Sequence, residues 1–198
     1  MKSIYLSISW PKYCSYTRKL ADAILTSGPE ETQIVAIARG GLILGRLLSD
    51  YLSVPVATIT IQSYKDFTKP NELIISEHLK VNIKDKAILL VDDVAYRGIT
   101  FKLAVSYLLR FKPKSITTVS MLCKTQSTFR PDFFAQVTDK WVIFPYEVTE
   151  TILHVIKTLR EQGKTKIEIQ TALESLGYSD AEIYLVCKHY FPEEHCCK

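Results

Sequence analysis

Asp92 and Asp93 stand side by side directly after the apolar run Ile88–Val91, and Gly98 and Thr100 follow shortly after. Adjacent carboxylates at the end of a strand that reads as buried are costly to place, because a charge loses its hydration there. In an open parallel sheet, ligands collect at the carboxyl ends of the strands, where this pair falls. A helix opening at Gly98 would offer unpaired backbone N–H groups and a positive dipole end to a phosphate, with Thr100 adding a hydroxyl donor. An acidic edge beside an anion cradle suits a phosphorylated sugar. The carboxylates would accept from two ribose hydroxyls while the helix start holds the 5′-phosphate. The competing reading makes Asp92 a helix cap and Asp93 a solvated side chain.

The elements that must position these residues alternate in the manner of an α/β domain. "IYLSIS" reads as a short strand. "PKYCSYTRKLADAILTSG" reads as a helix with Pro11 near its start and Gly28 at its stop. "TQIVAIA" is a buried strand running into "RGG", "LILGRLLSDYL" a helix and "VPVATITI" a strand. Gln62 to Lys86 is longer than an ordinary connection and reads as a functional loop or lid, with an idle surface excursion as the alternative. "KAILLVDD" is a strand, "GITFKLAVSYLLRF" a helix and "KSITTVSMLC" a strand, so a parallel sheet with right-handed crossovers is expected. After Trp141 two stretches of helical period follow with no strand between them. Gly163 and Gly177 look like helix stops there, and Ser179 with Glu182 like a capping box. Residues 1–149 are read as the main domain and 150–198 as a helical extension.

Composition narrows the classes. With 198 residues, 47% hydrophobic and 23% charged, the chain reads as ordinary globular protein, of a length that suits one good-sized domain or a domain plus a small appendage. No apolar stretch approaches the roughly 20 residues that span a membrane, and the N-terminus has no apolar core of secretion-signal length, so a cytoplasmic protein is expected. A net charge of +4 suits an anionic small molecule and is too weak to argue for nucleic acid. The five cysteines show no CxxC and no zinc spacing, and are read as free thiols.

The string resembles the signature of the type I phosphoribosyltransferases, in which a hydrophobic strand and two acids lead, after two residues, to Asp-Thr-Gly-x-Thr. "LLVDDVA" and "G-I-T" match, while "YR" replaces the Asp-Thr. The resemblance narrows to the 6-oxopurine enzymes, closest to the xanthine–guanine and hypoxanthine–guanine phosphoribosyltransferases, and covers residues 4–147. "ISWPKYCSYTRKLADAI" looks like their opening segment, "IVAIARGGLILGRLL" like their pyrophosphate-loop strand and helix, and "TIQSYKD" like the start of their flexible loop. "MLCKT" and "DKWVIFPYE" look like their base-binding segments.

The resemblance implies a central, mostly parallel sheet flanked by helices, a small hood, and extra C-terminal helices. It implies transfer of ribosyl-5-phosphate from phosphoribosyl pyrophosphate to a purine base, giving a nucleoside monophosphate. Mg²⁺ would assist, with Asp92 and Asp93 as its candidate ligands, partly through ligand or water, and a homodimer is the expected assembly. Asp92, Asp93, Ala95, Tyr96, Arg97, Gly98, Ile99 and Thr100 would form the phosphoribosyl site. Arg39 and Gly40, where members carry a non-proline cis peptide, would hold pyrophosphate with Ser63 and Tyr64 of the closing loop; a simple tight turn is the alternative at the Arg39 segment. Lys124 would donate to the purine 6-oxo group, an ammonium being a donor only. Trp141 would stack on the ring, and Val142 would offer backbone groups to the base edge. A surface lysine and a core tryptophan are the competing readings; Tyr146 is assigned nothing.

The departure falls on the catalytic set Asp92, Asp93 and Tyr96. The family's third acid lies near the purine imidazole nitrogen, and Tyr96 stands in its place, a phenol with an ordinary pKa near 10 and therefore a poor base at neutral pH. Arg97 replaces a phosphate-donating threonine and could reach the phosphate with charge-assisted bonds. A non-catalytic regulator that binds phosphoribosyl pyrophosphate or nucleotide on the same fold is the second hypothesis. The helical extension, with its basic cluster "KTLREQGKTK" and its faint likeness to small three-helix binding modules in "ALESLGYSDAEI", is where such a role would reside. A packing or dimer element is the favoured reading of that extension.

Overall fold

The computed structural model describes residues 4–28, 30–65 and 70–191, the side chains of 63–72 excepted. The chain resolves into two compact units, Met1–Tyr13 with Lys140–Lys198, and Cys14–Asp139. The elements run β1 (Tyr5–Ser7), α1 (Trp10–Ser27), β2 (Gln33–Ala38), α2 (Gly41–Leu52), β3 (Val56–Lys65), β4 (Pro70–Glu77) and β5 (Ala87–Ala95). They continue with α3 (Ile99–Leu109), β6 (Ser115–Lys124), β7 (Phe133–Thr138), β8 (Trp141–Ile143), α4 (Val148–Glu161), α5 (Lys166–Ser175) and α6 (Asp180–Tyr190). The fold is α/β.

Cys14–Asp139 holds a six-stranded sheet in the order β4-β3-β2-β5-β6-β7, parallel except for the antiparallel pair β3–β4. β2 and β5 lie at its centre, and their continuous apolar sequences "QIVAIA" and "AILLV" follow from burial on both faces. From β2 the chain moves outward to β3 on one side and then returns to β5 on the other. The carboxyl ends of β2 and β5 therefore flank a topological switch point, the place where an open α/β sheet offers a crevice. The main core joins Val35, Ile37, Ile59, Ile88 and Leu90 to Phe101, Ala104 and Leu108 of α3. Burying a side chain of this size contributes about 1.5–3 kcal/mol.

Within 62–86, expected as a loop or lid, residues 62–65 and 70–77 are strand. β3 runs on to Lys65 and pairs antiparallel with β4, which places Ile61 opposite Ile75 and lets both pack against the main core. The physical reason is apolar burial: two strands bury Ile61 and Ile75 where an open loop would leave them wet. Residues 66–69 lie outside the described residues. β7, also unexpected, caps the other edge of the sheet beside β6.

In the other unit, β1 pairs with β8 in parallel, Tyr5 opposite Trp141 and Leu6 opposite Val142, so the first strand does not join the central sheet. Three helices follow β8 and bury Ile152, Val155, Ile156, Leu173, Ile183 and Val186 against one another. The second helical stretch divides at Gly177 (φ +98°), and Ser179 and Glu182 form the expected capping box at the start of α6. Thr165 and Glu168 form a second box at the start of α5. No helix among the described residues is long and apolar enough to cross a membrane.

Candidate active site

Asp92 and Asp93 lie within the last four residues of β5, not at a helix start, and both are more than nine-tenths buried. The reading of Asp92 as a helix cap and Asp93 as a solvated side chain is therefore displaced. The Asp93 N–H donates to Asp92 Oδ1 at 3.0 Å. Burial, and then the charge of Asp93, push the Asp92 carboxyl well above the usual carboxylate range, while that N–H bond opposes the shift.

The turn after β2 presses directly on this pair. A β-carbon on Gly40 would fall 2.3 Å from Asp93 Oδ2, and one on Gly41 would fall 2.3 Å from the Val91 carbonyl oxygen. Glycine is thus required at both places by close approach. The Ala38–Arg39 peptide is cis, and Gly40 caps α2 with no side-chain hydrogen bond. Arg39 and Gly40 therefore sit at the carboxyl end of β2, against the acids of β5. Ser63 and Tyr64 belong to β3, and their side chains lie outside the described residues.

α3 opens at Ile99 with Gly98 (φ +80°) as its cap and no side-chain cap bond. A β-carbon at Gly98 would fall 2.5 Å from Phe129 Cβ. The loop is pinned from behind: Thr128 donates to the Arg97 carbonyl through its N–H (3.2 Å) and through Oγ1 (2.8 Å). Lys102 Nζ donates to Thr128 Oγ1 at 2.9 Å, and the Phe101 and Phe129 rings stack with centroids 5.2 Å apart. Residues 94–101 line an open cavity of about 130 Å³, so Ala95, Tyr96, Arg97, Gly98, Ile99 and Thr100 share one wall. Nothing in the sequence marked Thr128 or Phe129 as the supports of this loop.

Lys124 ends β6 and is 5% exposed, which overturns its reading as a surface lysine. Burial lowers its ammonium pKa below the ordinary lysine value, and the Asp139 charge opposes that shift. Its Nζ lies 5.6 Å from the centroid of the Tyr96 ring.

In the other unit, Trp141 is 51% exposed and stacks on His154 with centroids 5.3 Å apart and planes 11° apart. It is no core tryptophan. Val142, half-buried, follows it in β8. Tyr146 belongs to an aromatic cluster with Trp10, Tyr13 and Phe144. Cys14, Cys123 and Cys187 form no disulfide with one another. Among the described residues no group of three or more His, Cys, Asp or Glu side chains could hold a metal ion, so a cation at the aspartate pair would draw further ligands from solvent or substrate.

The phosphoribosyl transferase domain family matches residues 10–151. Among curated proteins, the chain is 26% identical over 157 residues to a xanthine-guanine phosphoribosyltransferase of Idiomarina loihiensis, across 78% of this chain and 92% of that protein. It is 25% identical over 173 residues to phosphoribosyltransferase domain-containing protein 1 of Xenopus tropicalis, across 77% of each. Among solved structures, a purine phosphoribosyltransferase of Pyrococcus horikoshii superposes with a TM-score of 0.66 at 26% identity, across 73% of this chain and 95% of that one.

Proposed function

The chain belongs to the phosphoribosyltransferase family, and from that premise we propose that it moves a ribosyl-5-phosphate from phosphoribosyl pyrophosphate to a 6-oxopurine. The products are the nucleoside 5′-monophosphate and pyrophosphate; the acceptor is hypoxanthine, guanine or xanthine. The observation that carries the reading is the buried Asp92–Asp93 pair held against Gly40, with the start of α3 beside it. That the relative in Idiomarina is a xanthine-guanine enzyme, and the protein in Pyrococcus a purine enzyme, supports a purine acceptor.

Each residue takes a role that its chemistry allows. Asp92 and Asp93 accept from the ribose hydroxyls. Backbone N–H groups from Gly98 to Thr100 bind the 5′-phosphate, Thr100 adds its hydroxyl and Arg97 its charge. Arg39 and Gly40 bind pyrophosphate, and the segment at Ser63 and Tyr64 closes on it, excluding water from a cation-like ribosyl centre. Lys124 donates to the 6-oxo group and disfavours an exocyclic amine. Trp141 stacks on the base, and Val142 offers it backbone groups.

The donor set fits Mg²⁺. Two adjacent buried carboxylates are hard oxygen ligands, and a divalent cation offsets the burial cost and the Asp93 charge that together raise the Asp92 carboxyl. Asp92 and Asp93 would hold the ion, partly through ligand or water; when bound, it neutralises charge on the departing pyrophosphate. The reading carries with it a cytoplasmic homodimer, a catalytic domain over 1–149 and an extension over 150–198. Pyrophosphate release from phosphoribosyl pyrophosphate and Mg²⁺, measured with each 6-oxopurine and with adenine, tests it. Turnover with at least one 6-oxopurine and far slower turnover with adenine is expected; release with no base above background contradicts it.

A further inference from the structure

We propose that His154 of α4 is a positioning residue for Trp141: its imidazole braces one face of the indole and leaves the other set for a base, so that the helical extension takes part in purine binding. The inference rests on the reading of Trp141 given above. Trp141 opens β8, a three-residue strand paired with β1 in a sheet of two strands. Two strands alone make a marginal structure in water and need support from packing. The Trp141 N–H donates to the Ile4 carbonyl at 2.9 Å, which fixes the backbone and leaves the ring to choose its rotamer. His154 settles that choice. The two rings lie 11° from parallel with centroids 5.3 Å apart, inside the range of an offset stack. Trp141 is still 51% exposed, the state of a ring covered on one face and open on the other.

The brace is firm because its helix is. Thr151 and Ile152 before His154, and Val155 and Ile156 after it, are buried, and the three apolar ones pack into the core that α4 shares with α5 and α6. α4 starts soon after Trp141, where Glu147 Oε2 accepts from the Phe144 N–H at 3.2 Å. The strand pair is also tied to the extension through β1, the Ser7 hydroxyl donating to the Leu176 carbonyl at 3.2 Å. All of these residues belong to one compact unit. A base that stacks on a mobile indole must first order it, and ordering one such side chain lowers affinity about 3–10-fold. An indole already stacked has lost that freedom before the base arrives. A flat side chain is needed for this, because an alkyl group at 154 would touch the indole without setting its plane.

The test uses the full chain and two readouts. Calorimetry measures Kd for guanosine, inosine and xanthosine 5′-monophosphates, and for phosphoribosyl pyrophosphate with Mg²⁺ as a ligand that carries no base. The proteins are wild type, His154→Ala, His154→Phe, Trp141→Ala and the double variant Trp141→Ala/His154→Ala. In His154→Ala the nucleotide that wild type binds most tightly should bind about 3–10-fold more weakly, with phosphoribosyl pyrophosphate affinity little changed. His154→Phe, which keeps a flat ring, recovers most of that loss. Once Trp141 is alanine, His154→Ala adds no further loss, because the two act as a unit. Separately, Trp10→Phe leaves Trp141 as the sole tryptophan of the chain. Acrylamide quenching of its emission should increase in His154→Ala and stay near the parent in His154→Phe. Additive losses, a Phe variant no better than Ala, quenching unmoved by loss of the imidazole, or a matching loss of phosphoribosyl pyrophosphate affinity would each overturn the proposal. The two readings fail separately. Nucleotide binding that survives Trp141→Ala intact removes the stacking role and the brace together; binding weakened in Trp141→Ala but kept in His154→Ala overturns the brace alone.

Discussion

Gly40 and Asp93 touch: the Asp93 carboxylate occupies the space that any side chain at residue 40 would need, with Oδ2 2.3 Å from the position of a β-carbon. The turn after β2 and the acids of β5 are therefore one constructed surface, made by two neighbouring central strands. Gly40→Ala must displace either the buried carboxylate or the turn itself. The KM for phosphoribosyl pyrophosphate is expected to rise about 10–100-fold, equivalent to ~1.4–2.8 kcal/mol. Gly41→Ala meets the Val91 backbone instead, which cannot rotate away. It should lower stability by about 1–3 kcal/mol, read as a shifted urea midpoint.

The Asp92 carboxyl supplies a pH test. Its folded pKa is raised by burial and by Asp93, so the folded state prefers it protonated. Stability from this group is complete below the ordinary carboxylate pKa and is lost as pH rises toward the raised folded value. At neutral pH the pair therefore weakens the fold. Asp92→Asn keeps an acceptor for the Asp93 N–H and removes the charge. It should raise stability at pH 7 by about 0.5–2 kcal/mol, with the gain fading below about pH 4. Urea midpoints measured across pH check it; a loss of stability at pH 7 would contradict the assignment. Activity should fall in the same variant, since the destabilising carboxylate is the one assigned to the sugar.

Trp141 separates binding from folding. Half of its surface is exposed, and its stacking partner is His154. Trp141→Ala should leave the thermal midpoint within a few degrees. The KM for the base should rise about tenfold or more, since stacking on a base is worth ~1–3 kcal/mol by alanine substitution. A large fall in Tm with unchanged base KM would return Trp141 to a structural role.

Sequence pattern revealed the central elements because burial on both faces leaves a strong mark: "QIVAIA" and "AILLV" had few other places to go. The capping box at Ser179 was legible because its two residues lie three apart and satisfy each other's backbone. The antiparallel pair of β3 and β4 was not, because the apolar run of "ELIIS" is short and stands between charged and turn-forming residues. β7 escaped notice because its burial is partial and its sequence "FFAQVT" has no flanking helix of its own. At the site, the aspartates, Arg39–Gly40 and the start of α3 could be read locally. The supports could not: Thr128 reaches Arg97 across 31 positions, a relationship set by the sheet and invisible in spacing.

The claim beneath the rest is that the carboxyl end of β5 and the start of α3 grip one sugar phosphate at both ends. Titration calorimetry of phosphoribosyl pyrophosphate with Mg²⁺ into wild type, Asp93→Asn and Thr100→Ala tests it most directly. Saturable one-to-one binding to wild type, weakened at least tenfold by either substitution in a chain that still folds, is the predicted result. No measurable heat of binding to wild type, or equal affinity in all three proteins, would contradict it.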